Sequence, residues 1–413
     1  MAGTTRSDGR KIRRGSSAAV FVAVALLSLA TGCKAGSPVN PTGVARKASV
    51  APSRDVQSAV GTPSRGPSRP AKKWESRGGA IIYSPVVGTN GTVYVVADKG
   101  EGGDNELWAL TPADGSLEKR VTLAPYARGP VLGDADTLFV STEERAVLGW
   151  KYGLVALASN GTVKWRRDLG AATADPVTLA NDPPLPPTIG PDGMVYASFY
   201  RRDFHALQQA DGTVKWSART LTIGDSVAAS DGTVYVNTAD GLRAFGRDGS
   251  IKWTFPGAAG ADAIELGIDG TVYTADRGHL FAVRASGGQK WNVATQTQSD
   301  GGGRPALGRD GTLYIGGDYL RAIRPDGTLK WSLKDGFGQL ADMPGAGPPA
   351  VASDGTIYVG GPRGLYAITP SGRVKWMFPM PQPSVNWAPV ISDGTIYVGD
   401  TQGNLYAIGE ARR

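Results

Sequence analysis

One short motif recurs along the sequence and constrains the fold more than any other feature. A Gly-containing pair is followed by Thr or Met, an apolar residue and Tyr in seven places, and a degenerate copy makes eight. Asp-Gly and Asn-Gly pairs supply the positive φ angles of tight hairpins, and the β-branched and aromatic residues after them favour strands. Each copy therefore predicts a β-hairpin. The copies begin at Asn90, Asp136, Asp192, Asp231, Asp269, Asp310, Asp354 and Asp393.

Two more elements complete the repeat. The first is an Ala between apolar residues, as in Leu107 to Leu110 or Leu405 to Ile408, and it favours a strand in a closely packed sheet. The second is a further Gly turn that leads into Lys-Trp. One large aromatic residue at a fixed place in each unit suits packing between neighbouring sheets. The residues predicted to fill this structural role are Trp74, Trp165, Trp216, Trp253, Trp291, Trp331 and Trp376.

The number of elements predicts the architecture. There are eight hairpins and eight Ala strands, but only seven closing segments follow them, the first being the degenerate Lys119-Arg120, while Lys73-Trp74 precedes the first hairpin. The sequence thus predicts an all-β fold, an eight-bladed β-propeller of four-stranded antiparallel blades. The N-terminal strand around Trp74 completes the last blade and removes an open sheet edge. An open β-solenoid is the alternative, and it does not need that strand.

The N-terminus has the pattern of an export signal. Four basic residues between Arg10 and Arg14 precede an apolar run over residues 18–30, which is too short to cross a membrane. Small residues then lead to Cys33, the only cysteine. This segment resembles a bacterial lipobox, so residues 1–33 are predicted to be a lipoprotein signal peptide with Cys33 as the lipidation site. The alternative is a signal peptide with an incidental cysteine.

Residues 34–73 are rich in Pro, Gly and Ser and poor in bulky apolar residues, so they are predicted to be a disordered tether, followed by the propeller over residues 74–413. Residues 1–73 contain 13 Lys and Arg and two Asp, which leaves 31 basic and 35 acidic residues in the rest. The propeller thus offers no basic face for nucleic acid. The basic tail fits either anionic lipid headgroups or a solubilising linker.

The three motifs together resemble the PQQ-like (pyrrolo-quinoline quinone) β-propeller repeat over residues 74–413. That family covers quinoprotein alcohol dehydrogenases and also non-enzymatic propellers such as the BamB-type lipoprotein of outer-membrane β-barrel assembly. The WD40 repeat fits less well, because its Trp-Asp signature is absent. The resemblance implies the fold, and function depends on the site.

The enzyme branch of the family implies a disulfide between adjacent cysteines and a calcium ion beside the quinone. Cys33 stands alone, and no Glu, Asn and Asp set matches that calcium site. The Asp-Gly pairs suit turns and lack the spacing of calcium ligands. No catalytic residue, metal or cofactor is therefore predicted. The expected function is a non-catalytic envelope scaffold that binds a protein or peptide. The alternative is an enzyme or a quinone-binding redox protein that uses the central channel.

In a propeller, the turns after the first and third strands of each blade lie on one face, and the remaining connections lie on the other. The variable segments fall on the second face, which usually marks the binding face of a repeat ring. They are residues 99–106, 142–153, 170–188, 201–204, 336–347 and 379–387. The predicted aromatic anchors are Trp150, Tyr152, Phe204 and Trp387, and the predicted polar rim is Glu143, Glu144, Arg145, Arg201 and Arg202. Loops that merely drift in length are the alternative. The protein is expected to be an exported monomer, anchored by lipid to the cell membrane or the outer membrane.

Overall fold

The computed structural model describes residues 64–78, 81–100, 103–146, 149–173, 184–276, 278–295, 304–317, 319–333, 347–361, 363–380 and 387–411. The predicted signal peptide, Cys33 and most of the predicted tether lie outside these ranges. Among the described residues, no helix is long and apolar enough to cross a membrane.

The described chain forms eight antiparallel sheets, which confirms the predicted eight-bladed propeller. We number the blades in chain order and call their strands first, second, third and outer. The first strand of blade 1 is split into two segments, which both pair with the second strand. The strands of blade 1 are Ile81–Ile82, Val86–Val87, Val93–Asp98, Glu106–Leu110 and Leu117–Thr122; those of blade 2 are Tyr126–Leu132, Leu138–Ala146, Gly149–Leu157 and Val163–Thr173; those of blade 3 are Thr188–Ile189, Met194–Ser198, Phe204–Gln208 and Val214–Ala218; and those of blade 4 are Thr222–Ala228, Val234–Thr238, Gly241–Phe245 and Ile251–Phe255.

The later blades follow the same order, and two 3-10 turns, Asp134–Asp136 and Pro256–Ala258, are the only helical segments in the described ranges. The strands of blade 5 are Ala263–Leu266, Val272–Ala275, His279–Val283 and Gln289–Ala294; those of blade 6 are Ala306–Leu307, Leu313–Ile315, Leu320–Ile323 and Leu329–Leu333; those of blade 7 are Ala350–Val351, Ile357–Gly361, Gly364–Ile368 and Val374–Pro379; and those of blade 8 are Val390–Ser392, Thr395–Gly399, Asn404–Glu410 and, from the N-terminus, Pro70–Arg77.

The Asp-Gly turns join the first and second strands. In blade 4 the Asp231 carboxylate accepts a hydrogen bond from the Thr233 backbone N–H at 2.8 Å, and Gly232 has φ +81°, a conformation that favours glycine. The Lys of the Lys-Trp pair reaches the same turn, since Lys252 Nζ donates to Thr233 Oγ1 at 2.6 Å. The two motifs of the repeat therefore contact each other across the blade.

The hydrophobic core lies between neighbouring blades. At the interface of blades 4 and 5, Tyr235, Leu242 and Ala244 pack against Ile264 and Val283, and all five are buried. The Ala in the third strand keeps the sheets close. The tryptophans join the blades, because the Trp253 indole N–H donates to the Ala285 carbonyl of the next blade at 2.9 Å.

The N-terminal strand closes the ring as predicted. Pro70–Arg77 pairs with Asn404–Glu410, with Trp74 opposite Ala407. The strand begins at Pro70, four residues ahead of the boundary predicted at Trp74, and the described residues before it also contact the ring. Pro67 O accepts the Trp376 indole N–H at 2.9 Å. The Glu410 carboxylate accepts the Ser68 backbone N–H at 2.6 Å. Residues 64–69 thus take the place of the turn that blade 8 lacks.

Candidate functional site: an aromatic face on blades 1 to 3

Blade 2 is longer than the others on the face opposite the Asp-Gly turns. Its second and third strands have nine residues each, whereas the corresponding strands of blade 4 have five. The pairing continues outward from Glu143 opposite Tyr152 to Arg145 opposite Trp150. The segment predicted as a variable loop over residues 142–153 is therefore mostly a strand extension. We call the described residues beyond the common strand length, 142–146 and 149–153, the blade 2 extension.

Two predicted anchors on this extension contact aromatic residues. Trp150 packs edge-on against Tyr126 at the start of the same blade, with ring centroids 5.3 Å apart. Tyr152 packs against Phe199 of blade 3, with centroids 4.7 Å apart. Both anchors are half-buried, so part of each side chain remains accessible to solvent. Alternate residues of a strand share a face, which explains why both rings lie on one side of the extension.

The turn of blade 3 between its second and third strands lies beside this aromatic row. Arg201 is exposed, adopts φ +55°, and places its guanidinium 5.3 Å from the Tyr200 ring centroid. Its backbone N–H donates to the Thr222 carbonyl of blade 4. The Arg202 backbone N–H donates to the Phe199 carbonyl at 2.9 Å. Backbone bonds therefore fix the positions of the two predicted rim arginines in this turn.

Charges from both blades act on Tyr152. Burial raises the pKa of its hydroxyl, Asp203 and Glu143 raise it further, and Arg202 opposes them. Glu143 and Arg202, from different blades, therefore both lie near Tyr152. Glu144 lies nearer the outer strand and forms an exposed ion pair with Arg166 at 3.8 Å.

Trp387 belongs to a second cluster, beside the first strands of blades 1 and 2. It packs edge-on against Tyr83 at a centroid distance of 5.1 Å, and the Arg128 guanidinium lies 4.1 Å from the centroid of the same ring. The Tyr83 hydroxyl donates to Asp98, which also pairs with Arg128 at 3.7 Å. Burial is the main cause that raises the pKa of Tyr83, while Arg128 lowers it.

Sequence reasoning missed Tyr83, Asp98, Tyr126 and Arg128. They lie where the first strands begin or the second strand of blade 1 ends, which are the least regular parts of the repeat. The composition of the first strand of blade 2 could have revealed Tyr126 and Arg128. Tyr126-Ala-Arg128 contains a large ring and a charge, whereas the first strands of the other blades contain mostly small or apolar residues. Tyr126, which contacts Trp150, and Arg128, which contacts Tyr83, lie on the same strand, so the two aromatic clusters are adjacent.

Phe204 was wrongly predicted to be a surface anchor. Its side chain is fully buried, with ring centroids 5.8 to 5.9 Å from those of Tyr196, Trp216 and Phe245. It is the first residue of a third strand and corresponds to Leu242 of blade 4, which is also in the core. The physical reason is that the strand starts one residue earlier than the sequence suggested. Segments 170–188, 336–347 and 379–387 lie partly outside the described residues.

The two histidines lie apart. His205 is 5% exposed, and burial lowers its pKa; its Nδ1 is 2.8 Å from Ser217 Oγ. His279 is exposed on blade 5, with Nδ1 3.6 Å from Asp276. Neither belongs to the aromatic face.

The comparisons with known proteins agree with this architecture. A family model described as "Outer membrane protein assembly factor BamB" matches residues 152–323 and 316–412, more than half of the chain. The chain belongs to this PQQ-like propeller family. None of the curated proteins matches the sequence.

Solved structures extend the likeness of this PQQ-like propeller. BamB from Moraxella catarrhalis is 14% identical, with 82% of this chain and 99% of that chain aligned at a TM-score of 0.58. A europium-containing methanol dehydrogenase is 14% identical, with 83% and 93% aligned at 0.60. The quinohemoprotein alcohol dehydrogenase from Comamonas testosteroni is 15% identical, with 84% and 77% aligned at 0.60. At these identities the likeness shows the fold alone.

Proposed function

We propose that this protein is an exported, lipid-anchored scaffold of the cell envelope, a monomer that binds a protein or peptide partner through the aromatic face of blades 1 to 3. The observation that carries the proposal is the pair of half-buried tryptophans, Trp150 and Trp387, each braced by a tyrosine. Braced aromatic residues lose little side-chain entropy on binding and are common binding hot spots.

The polar surroundings support the same function. Arg128 lies over Tyr83 in the Trp387 cluster, and Arg202 lies near Tyr152 of the blade 2 extension. Tryptophan, tyrosine and arginine are enriched at protein interfaces, where the apolar parts are buried and the polar ends find partners. Assembly of outer-membrane proteins is the context that the family description supplies, and we propose it for this chain.

The proposed anchor is the thioether-linked lipid at Cys33. Acyl chains contribute about 0.8 kcal/mol for each buried methylene, so two or three chains outweigh the basic tail. Cys33→Ser should therefore release the protein into the soluble fraction, with Lys34→Ser as a matched control that stays in the membrane. Equal membrane fractions for the two variants would contradict the lipid anchor.

The partner is tested by crosslinking in native envelopes followed by capture of the full-length protein. A Trp150→Ala, Trp387→Ala double variant should lose the bands that the wild type yields, because truncation of a central aromatic residue commonly costs about 2 kcal/mol or more of binding. Lys215→Ala, an exposed change on the outer strand of blade 3, is the control. An unchanged band pattern for the folded double variant refutes the assignment of this face.

Redox catalysis is the second candidate, because two of the solved structures that share the fold are dehydrogenases. Purified protein is incubated with calcium and pyrrolo-quinoline quinone, and absorbance and dye reduction with alcohols are followed. Saturable quinone binding with dye reduction would favour an enzyme over a scaffold.

A further inference from the structure

The tryptophan position of the outer strand is filled in seven of the eight described blades. In each, the Trp lies opposite the Ala of the third strand, as Trp291 lies opposite Ala282. Blade 1 is the exception, because Lys119 lies opposite Ala109. Lys119 therefore stands at the tryptophan position of the interface between blades 1 and 2.

The seven filled positions define what this site accepts. Each indole N–H donates to a backbone carbonyl at 2.8 to 2.9 Å: the acceptors are Pro112, Gln209, Arg247, Ala285, Pro325, Pro370 and Pro67. Each ring packs on a Tyr or Phe of its own blade, with centroids 5.6 to 6.0 Å apart. In six of them a turn glycine lies directly against the indole, as Gly287 does against Trp253.

The interface between blades 1 and 2 has the same aromatic ring, carbonyl acceptor and turn glycine, but it has no indole. Tyr94 is the ring of the second strand, Ser159 offers the carbonyl, and Gly161 follows it by two residues, as Gly287 follows Ala285. The Tyr94 hydroxyl donates to Ser159 O at 3.1 Å in place of an indole N–H. A shallow groove, open to solvent, is lined by Tyr94, Leu107, Ala109, Lys119, Val121, Ser159 and Gly161, and the Lys119 and Val121 side chains occupy its space beside Gly161.

We infer that this groove binds a tryptophan side chain presented by a partner polypeptide. The indole completes the ring, carbonyl and glycine set that surrounds every resident tryptophan, and the groove is continuous with the buried core between blades 1 and 2 through Tyr94, Leu107 and Ala109. Entry requires the aliphatic stem of Lys119 to move, because that stem and Val121 lie over Gly161. Lys119 is exposed and can turn outward at little cost.

The site is separate from the aromatic face. It lies beside a turn of blade 2 between its third and outer strands, on the face opposite the blade 2 extension. Failure of one assignment therefore leaves the other standing.

The test is a ligand-observed fluorine NMR titration of 5-fluoro-N-acetyltryptophanamide with the full-length protein. The wild type should bind it weakly and saturably. Lys119→Trp places a resident indole in the groove and should weaken binding at least tenfold, about 1.4 kcal/mol, while its melting temperature rises. Tyr94→Phe removes the competing hydroxyl and should tighten binding two- to fivefold.

Lys215→Trp is the matched control, since it adds an exposed tryptophan beside the filled Trp216 position and should bind the probe as the wild type does. A fluorinated N-acetylphenylalaninamide, which lacks the N–H donor, should bind more weakly than the indole probe. Equal affinities for the wild type and Lys119→Trp, or no saturable binding by the wild type, overturn the inference.

Discussion

The two faces of the ring use polar residues in different ways. On the turn face, Asp231 and Lys252 both bond to Thr233, so their side chains hold the repeat together. On the loop face of blades 1 to 3, Arg128 lies over Tyr83 and Arg201 over Tyr200, and the nearby Trp150 and Trp387 side chains are only half-buried. The contrast teaches that the regular motifs of this sequence report stability, whereas departures from the repeat report the surface available to a partner.

The largest effect on stability should come from removing the closing strand. Deletion of residues 1–78 takes away Pro70–Arg77 with Trp74 and leaves the outer edge of blade 8 open. We expect it to destabilise the ring by at least about 4 kcal/mol, within the range for deleting one buried Trp side chain. Urea unfolding measures the loss.

A shorter deletion separates closure from the tether. Removal of residues 34–63 keeps Pro67 against Trp376 and the Ser64 hydroxyl oxygen as acceptor for the Gly394 N–H, so stability should match the wild type. Equal unfolding midpoints for the two deletions would contradict the closing strand.

A resident tryptophan should give the next largest effect. Trp253→Ala removes a ring that packs on Tyr235 and donates to Ala285, and it should cost about 3–5 kcal/mol of stability. Partner capture by the remaining folded protein should be unchanged, because blade 4 is outside the aromatic face. If the folded variant failed to capture the partner, the assignment of binding to the aromatic face alone would be contradicted.

Much of the fold could be predicted from the sequence because each motif of the repeat occurs in many copies, so a degenerate copy can still be identified by comparison with the others. Asp-Gly, the Ala strand and Lys-Trp each recur, so the blade count and the role of Trp74 were predictable without knowledge of the interfaces. The blade 2 extension was not, since Glu143 to Ala146 has the composition of a loop and forms a strand only by pairing with residues 149–152. Phe204 was misplaced for a similar reason, because burial of a strand's first residue depends on the neighbouring blade.

Trp150 on the loop face is the residue to compare with Trp253. Its removal should weaken partner binding more than it lowers stability, whereas removal of Trp253 should do the reverse. Trp150→Ala removes a half-buried ring that contacts Tyr126, so the free energy of unfolding should fall by only about 1 kcal/mol. Binding of the captured partner should fall by about tenfold or more. Parallel urea unfolding and pull-down titration compare the two variants directly. A Trp150→Ala variant that loses several kcal/mol of stability would make this residue structural, like Trp253.

The smallest effect concerns the carboxylates of the turn face. Partial burial raises the pKa of Asp310, but hydrogen bonds from Thr312 and the Lys330 ammonium, 3.1 Å away, outweigh it and leave the pKa below its ordinary value of 3.8. A carboxyl whose pKa is lower in the folded state stabilises the fold above the unfolded pKa, and this contribution is lost as pH falls through the folded pKa. Asp310→Asn should therefore lower the free energy of unfolding by about 1 kcal/mol or less at pH 6, because the Asp310–Lys330 pair is exposed.

The difference in stability between this variant and the wild type should shrink between pH 5 and pH 3, and 1 M NaCl should reduce it at pH 6. Urea midpoints at these pH values measure both trends, and a difference that stays constant with pH would show that Asp310 acts through its turn hydrogen bonds alone, without its charge.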